Sequence, residues 1–257
     1  MAKKSPLAEK LDEVRDRIAT AATKANREPR EVTLIAVTKT AAPEQIREVV
    51  QLGVADLGES RVQAITQRIP QINEFLSRQR THGDASAVPA KLRWHMIGHL
   101  QRNKVKPLLS MIDYVHSIDS LRLAEEIEQH AAKLGKKFPV LLQINASEEK
   151  QKFGVAVGAS VHLAEQIDTM QHVQLVGVMT MAPLTDNAEE ARFVFSRTRE
   201  IFEEMKWHKI GGAHFRHLSM GMSNDYEEAI AEGSTMVRIG TSLFGGKVES
   251  EAEMAAD

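Results

Sequence analysis

The chain is expected to be an α/β protein, a single (β/α)8 TIM barrel with an additional N-terminal helix. Two observations predict it. Short runs rich in β-branched residues alternate with amphipathic helical stretches along the 257 residues, and such alternation implies parallel strands joined by crossovers. Eight strand candidates are evenly spread: Thr33–Thr38, Val54–Glu59, Arg93–Gly98, Asp113–Ile118, Pro139–Asn145, Val173–Met179, His214–Met220 and Thr235–Gly240. Eight strand–helix units in about 250 residues match the length of a closed barrel. An open doubly wound sheet is the alternative, and the even spacing favours the barrel.

From Pro6 to about Asn26, Leu7, Leu11, Val14, Ile18 and Ala22 recur at helical spacing with charges on the other face, so residues 1–30 hold the extra helix. "PEQIREVVQLG" carries proline in its first turn and glycine at its end. "SLRLAEEIEQHAAKLG" opens on serine and also closes on glycine. The polar stretch "SRQRTHGDASAVPAK", Ser77 to Lys91, reads as an exposed loop before the third strand. The acidic residues 247–257 are expected to be a disordered tail. Residues 1–257 read as one domain.

Composition narrows the function. With 42% hydrophobic and 26% charged residues the chain has a globular balance, and 33 basic against 35 acidic residues give a formal charge of −2. No global field attracts nucleic acid or an anionic membrane. No stretch reaches the roughly 18 apolar residues of a membrane span, and the charged N-terminus lacks a signal peptide's apolar core. The absence of cysteine excludes disulfides, thiolate metal sites and a cysteine nucleophile. A cytoplasmic protein is expected.

Barrel enzymes work at the C-terminal ends of their strands. "TLIAVTKT" ends the first strand on Lys39, either a solvated charge or a reactive amine. Loops seven and eight, "SMGMSND" and "RIGTS", offer small residues and hydroxyls before helix starts, with Gly240 permitting close backbone approach and Thr241 and Ser242 supplying hydroxyls. Together they form a plausible cup for a phosphate monoester. A phosphate cup facing a strand-end lysine suggests a phosphorylated carbonyl compound held as a Schiff base, in an aldolase or in a pyridoxal 5′-phosphate (PLP) protein. Arg238 favours the second: it shares a side of its strand with Gly240 and, if inward, reaches a pyridine nitrogen.

Other constellations carry less. His95 and His99 lie in a strand leading into a loop rather than on one helix, and His214 with His217 face opposite sides of one strand, so no metal site is expected. Glu59 and Asp225 fit acid–base roles or cap and ion-pair roles. Arg102, Lys104 and Lys106 make a solvated basic face or an anion-docking surface. Trp94 and Trp207 read as packing residues.

The stretches "LIAVTKT", "LGESRVQ", "WHMIGHLQRNK", "HSIDS", "GVMTMAP", "LSMGMSND" and "VRIGTSLFGG" span nearly the whole chain. Through them the sequence resembles the PLP homeostasis proteins, the YggS/PROSC-type family related to the N-terminal barrel of alanine racemase. The resemblance implies PLP as cofactor, a Schiff base on Lys39, phosphate ligands at Ser223, Gly240 and Thr241, Met222 beside ring or phosphate, and Arg238 facing the pyridine nitrogen. Ser223 is preferred to Ser219 because its spacing to Arg238 is like that in alanine racemase. Where the family usually has asparagine this chain has Ser60, which keeps a hydroxyl but loses the amide's reach.

A guanidinium cannot accept a proton, so an arginine partner weakens the ring as an electron sink. Racemisation needs a proton-transfer group on each face, and the resemblance puts alanine racemase's second group on a tyrosine from another domain. This chain has two tyrosines, Tyr114 and Tyr226, and the barrel consumes its length. The function expected is PLP binding within vitamin B6 homeostasis, with little or no catalysis and with apo PLP-dependent enzymes as recipients of the cofactor, by a monomer. The alternatives are a small PLP-dependent racemase or decarboxylase, and a cofactor-free Schiff-base aldolase.

Overall fold

The computed structural model describes residues 4–83, 86, 88–149, 151–185 and 187–246. The acidic tail expected at 247–257 lies outside the described residues. The strands are β1 (Thr33–Val37), β2 (Asp56–Glu59), β3 (Arg93–Met96), β4 (Tyr114–Ile118), β5 (Phe138–Asn145), β6 (Val155–Ala156), β7 (Val173–Met179), β8 (His217–Ser219) and β9 (Met236–Ile239). They pair in the order β4-β3-β2-β1-β9-β8-β7-β5, and a further β4–β5 pairing closes the ring into an eight-stranded barrel. Every pairing is parallel, and the two-residue β6, which the sequence pattern did not suggest, adds to β5 in its loop region. Closure excludes the open doubly wound sheet.

The helices are α1 (Pro6–Lys24), α2 (Pro43–Gln51), α3 (Val62–His82), α4 (Val105–Leu108), α5 (Leu121–Lys133), α6 (Val157–Asp168), α7 (Ala188–Trp207), α8 (Tyr226–Ala231) and α9 (Thr241–Phe244). Local chemistry places their starts. Ser5 accepts the Ala8 N–H at 3.1 Å and Pro6 follows it; Pro43 opens α2; Asn187 accepts the Glu189 N–H at 3.1 Å. The expected loop from Ser77 is helical through His82, because Leu76 is buried while Arg78 pairs with Glu74 one turn back at 2.5 Å. The polarity there marks a solvated helix face.

Two cores follow from strand alternation. Residues such as Leu57, Trp94, Met96 and Val115 point outward against the helices. Leu141, Val176 and Met179, with Tyr114 and Met181 against them, form a separate small cluster. Trp207 departs from expectation: it is 79% exposed at the end of α7. His214 lies in a 3₁₀ turn, Gly212–His214, ahead of β8, so it does not share a strand with His217.

Gly177 on β7 shows how tightly the wall closes. A Cβ there would lie 1.8 Å from the carbonyl oxygen of His217 on the paired β8. Gly177→Ala is expected to cost about 3 kcal/mol or more by forcing the strands apart. The measurement is the urea midpoint at unchanged slope.

Candidate functional site

Lys39 leaves the barrel just beyond β1 and is half-buried. Its backbone is clamped from below. Arg68, on α3, pairs with the fully buried Glu59 and donates from Nη2 to the carbonyls of Lys39 and Ala41 at 3.3 and 3.4 Å. Thr38 Oγ1 lies 3.1 Å from the same carboxylate and 3.2 Å from the Gly58 carbonyl. Glu59 also accepts the Ser60 N–H at 2.8 Å. It is therefore an ion-pair and loop-holding residue, one of the two roles its sequence position allowed. Sequence reasoning missed Arg68. The available signal was an arginine falling on the apolar stripe of Ile65, Ile69, Ile72 and Leu76.

Opposite Lys39 stand the loops after β8 and β9. Gly221, at φ +92°, turns the chain, and a Cβ there would sit 2.6 Å from Ala229 Cβ. Asp225 then accepts the Met222 N–H at 2.5 Å, so it holds the loop. Burial raises its carboxyl above the ordinary range against that hydrogen bond and the charge of Arg238. Ser223 Oγ accepts the N–H groups of Gly240 and Ser242 at 3.3 and 3.4 Å. Gly240 itself packs close to β1: a Cβ would lie 3.2 Å from the Val37 carbonyl.

Arg238 points into the barrel, which excludes the outward alternative. It is 3% exposed, and its Nη1 donates to Ser219 Oγ at 2.7 Å while Nη2 donates to the Thr180 carbonyl at 2.9 Å. Burial lowers its pKa to about 10, partly opposed by Asp225, so the group remains a cation at neutral pH. Ser219 lies beneath this guanidinium, whereas Ser223 faces the cavity.

Lys39, Met222, Ser223, Arg238, Gly240 and Thr241 all line one pocket. Ser60 lines it too, held there because Gly98 lacks a Cβ that would come 2.3 Å from the Ser60 carbonyl. Additional lining residues are Gln143, whose Nε2 donates to the Phe153 carbonyl at 3.3 Å, and His99, stacked on Phe153 at 4.2 Å. Their signal was a polar residue inside an apolar strand and a histidine just past one. Neither tyrosine lines the pocket: Tyr114 stacks on His95 at 4.7 Å, and Tyr226 is buried on α8 beneath Arg17. Arg102 and Lys106 are exposed, and neither they nor Lys104 lines it. Among the described residues no three His, Asp or Glu side chains are grouped to hold a metal ion.

The sequence profile of the alanine racemase N-terminal domain matches residues 10–248. The pyridoxal phosphate homeostasis protein of Aquifex aeolicus is 38% identical over 237 residues, covering 92% of this chain and 96% of its own length. A crystal structure of an unknown protein from Bifidobacterium adolescentis superimposes with a TM-score of 0.85 at 35% identity, over 93% of this chain and 94% of that one. PipY of Synechococcus elongatus PCC7942, solved with PLP bound, gives 0.77 at 31% identity, over 93% and 100%.

Burial also dictates an acid response. His116 is held well below the usual histidine range by burial, then by the charges of His95, Arg238 and His217; burial pushes His217 down to about 4. The unfolded chain takes up protons at these rings from about pH 6.5 downward, whereas folded His217 resists until about 4. Stability present above pH 6.5 is thus lost as the pH falls toward 4, with Asp225 opposing over part of that range. From His217 alone, unfolding free energy at pH 5 is expected to lie about 2 kcal/mol below that at pH 7. Urea titrations at the two pH values check this, and His217→Asn should reduce the difference by about that amount, leaving the share of His116.

Proposed function

Because the chain belongs to the alanine racemase N-terminal domain family, and within it to the pyridoxal phosphate homeostasis proteins, we propose that it binds PLP and serves intracellular vitamin B6 homeostasis. When bound, the cofactor supplies an aldehyde that joins the Lys39 amine as a Schiff base. The observation that carries the reading is the meeting of three unlike groups in one pocket: a lysine, a cradle of hydroxyl and backbone N–H donors, and a buried arginine.

The residues fit the cofactor by chemistry. Ser223 and Thr241 offer hydroxyls, and Gly240 and Ser242 offer N–H groups that converge on Ser223, a donor set suited to a phosphate ester. Arg238 donates and cannot accept, so it favours an unprotonated pyridine nitrogen. Met222 gives the pocket a polarizable wall. A ring so partnered stabilises carbanions poorly, and with no tyrosine at the pocket the reading is a carrier with little or no catalysis. Its cytoplasmic location, monomeric state and delivery of cofactor to apo enzymes belong to the same proposal.

The test is the visible spectrum of the purified chain with added PLP. Wild type is expected to show an imine band and, after borohydride, a pyridoxyl adduct on the Lys39 peptide, both absent in Lys39→Ala. A colourless wild type that traps nothing would overturn the reading and favour the cofactor-free aldolase. Rapid loss of optical activity from an added L-amino acid would favour the racemase instead. Ser223→Ala should weaken PLP affinity about tenfold, or about 1.4 kcal/mol, while Lys39 remains trappable. Arg238→Gln should shift the band or loosen retention, read by absorbance and dialysis.

A further inference from the structure

Behind Arg238 the barrel lumen holds an unbroken string of hydrogen bonds. Arg238 Nη1 reaches Ser219 Oγ at 2.7 Å; Ser219 Oγ lies 2.9 Å from His116 Nδ1; His116 Nε2 lies 2.9 Å from His95 Nδ1; His95 Nε2 lies 3.0 Å from Asp56 Oδ1. Asp56 is in turn gripped by Arg93 through Nε and Nη2 at 2.6 and 2.5 Å. Ser219, His116 and His95 are fully buried, and Asp56 is 5% exposed. The string crosses from β9 through β8, β4 and β3 to the start of β2, so it joins the pocket to the opposite mouth of the barrel. Nothing in the PLP-binding reading uses its last three members.

We propose that Ser219, His116, His95 and Asp56 form a directional positioning relay that fixes the orientation and donor strength of Arg238 toward the ring of the bound cofactor. The proposal rests on PLP as the ligand. Its direction follows from the two ends. A guanidinium can only donate and a carboxylate can only accept. With one hydrogen on each ring, His95 must donate from Nε2 to Asp56 and accept at Nδ1. His116 must then donate from Nε2 to His95 and accept at Nδ1 from the Ser219 hydroxyl. Ser219 is left to accept from Arg238. Every hydrogen bond points the same way, and bonds so aligned polarise one another.

The surroundings hold this arrangement. Tyr114 stacks on His95 with a 4° interplanar angle and meets His116 and His217 edge-on. Burial and the neighbouring cation keep His116 without a second hydrogen. On Asp56 burial alone would raise the carboxyl, but the hydrogen bonds from His95 and Arg93 and the charge of Arg93 hold it below the usual carboxylate range. With Ser219 and the Thr180 carbonyl each taking one hydrogen from Arg238, the guanidinium plane is set before any ligand arrives.

Two experiments test the relay. The first needs no variant protein for its result: long-range 1H–15N spectra of the labelled chain at pH 7.5, without cofactor, read which nitrogen of each ring carries hydrogen. His95→Gln and His116→Gln serve only to assign the signals. Both rings are expected as the Nε2–H tautomer, and either ring found as Nδ1–H or doubly protonated overturns the relay's direction. The second compares PLP-loaded wild type with Ser219→Ala and His116→Leu, using circular dichroism to confirm the fold. Both variants should keep a borohydride-trappable Lys39 yet show a displaced imine band and at least fivefold faster loss of PLP. Ser219→Thr and His116→Gln, which restore a hydroxyl and an amide donor–acceptor pair, should recover toward wild type. Folded variants with an unchanged band and release rate overturn the positioning role, and if they do not fold the tautomer spectra decide. A wild type without an imine band would sink the PLP reading instead, leaving the relay's direction to the spectra.

Discussion

The site exists because β9 pairs with β1. That seam joins residues about two hundred positions apart, with Ile35 opposite Arg238 and Ala36 opposite Ile239, and it carries Lys39 and Gly240 out of the barrel side by side. Closing so long a loop costs entropy that local contacts do not repay. Helix α1 supplies part of the return: it packs on α2, α8 and α9, on both sides of the seam. Just beyond it Arg27 reaches across to the carbonyls of Ile230 and Ser234 at 3.0 and 2.8 Å. The extra helix is thus a strap over the closure on which the pocket depends.

Inside the barrel, charge is accommodated by division of labour. Leu141, Val176 and Met179 form an apolar cluster, while the polar string occupies other inward positions of β2, β3, β4, β8 and β9. An isolated guanidinium in such a place would be costly to desolvate. Here it spends two hydrogens on protein acceptors and stands near Asp225, whose own carboxyl is strained upward by burial. The lysine side of the pocket is organised in a similar way, by one guanidinium from α3 serving Glu59 and two carbonyls. Two arginines therefore set the two walls, one lining the pocket and one behind Lys39.

Much of this was legible in the chain. The eight β-branched runs became the eight barrel strands, six of them shortened at their ends, because parallel barrel strands are buried on both faces and carry a continuous apolar signal. Lys39 and Gly240 could be picked out by their places at strand ends and Arg238 by its alternation with Gly240, whereas Ser223 came from the family resemblance. Arg68, Gln143 and the Asp56–His95–His116 string could not, since each matters through a partner far away in sequence. Polarity misled twice. Ser77–His82 looked like loop while forming an exposed helix face, and Trp207 looked like packing while lying in solvent. Both are surface positions, where side-chain type constrains structure least.

The contrast between the two tryptophans has a practical side. Trp94 is 3% exposed in the barrel wall, and Trp207 is 79% exposed at the far end of α7. An aqueous quencher will silence one and spare the other, which leaves the emission of the intact chain dominated by an indole seated on β3. That indole faces outward from β3 into the helix layer, so the molecule carries a built-in optical gauge of the packing between barrel and helices, needing neither label nor engineered residue.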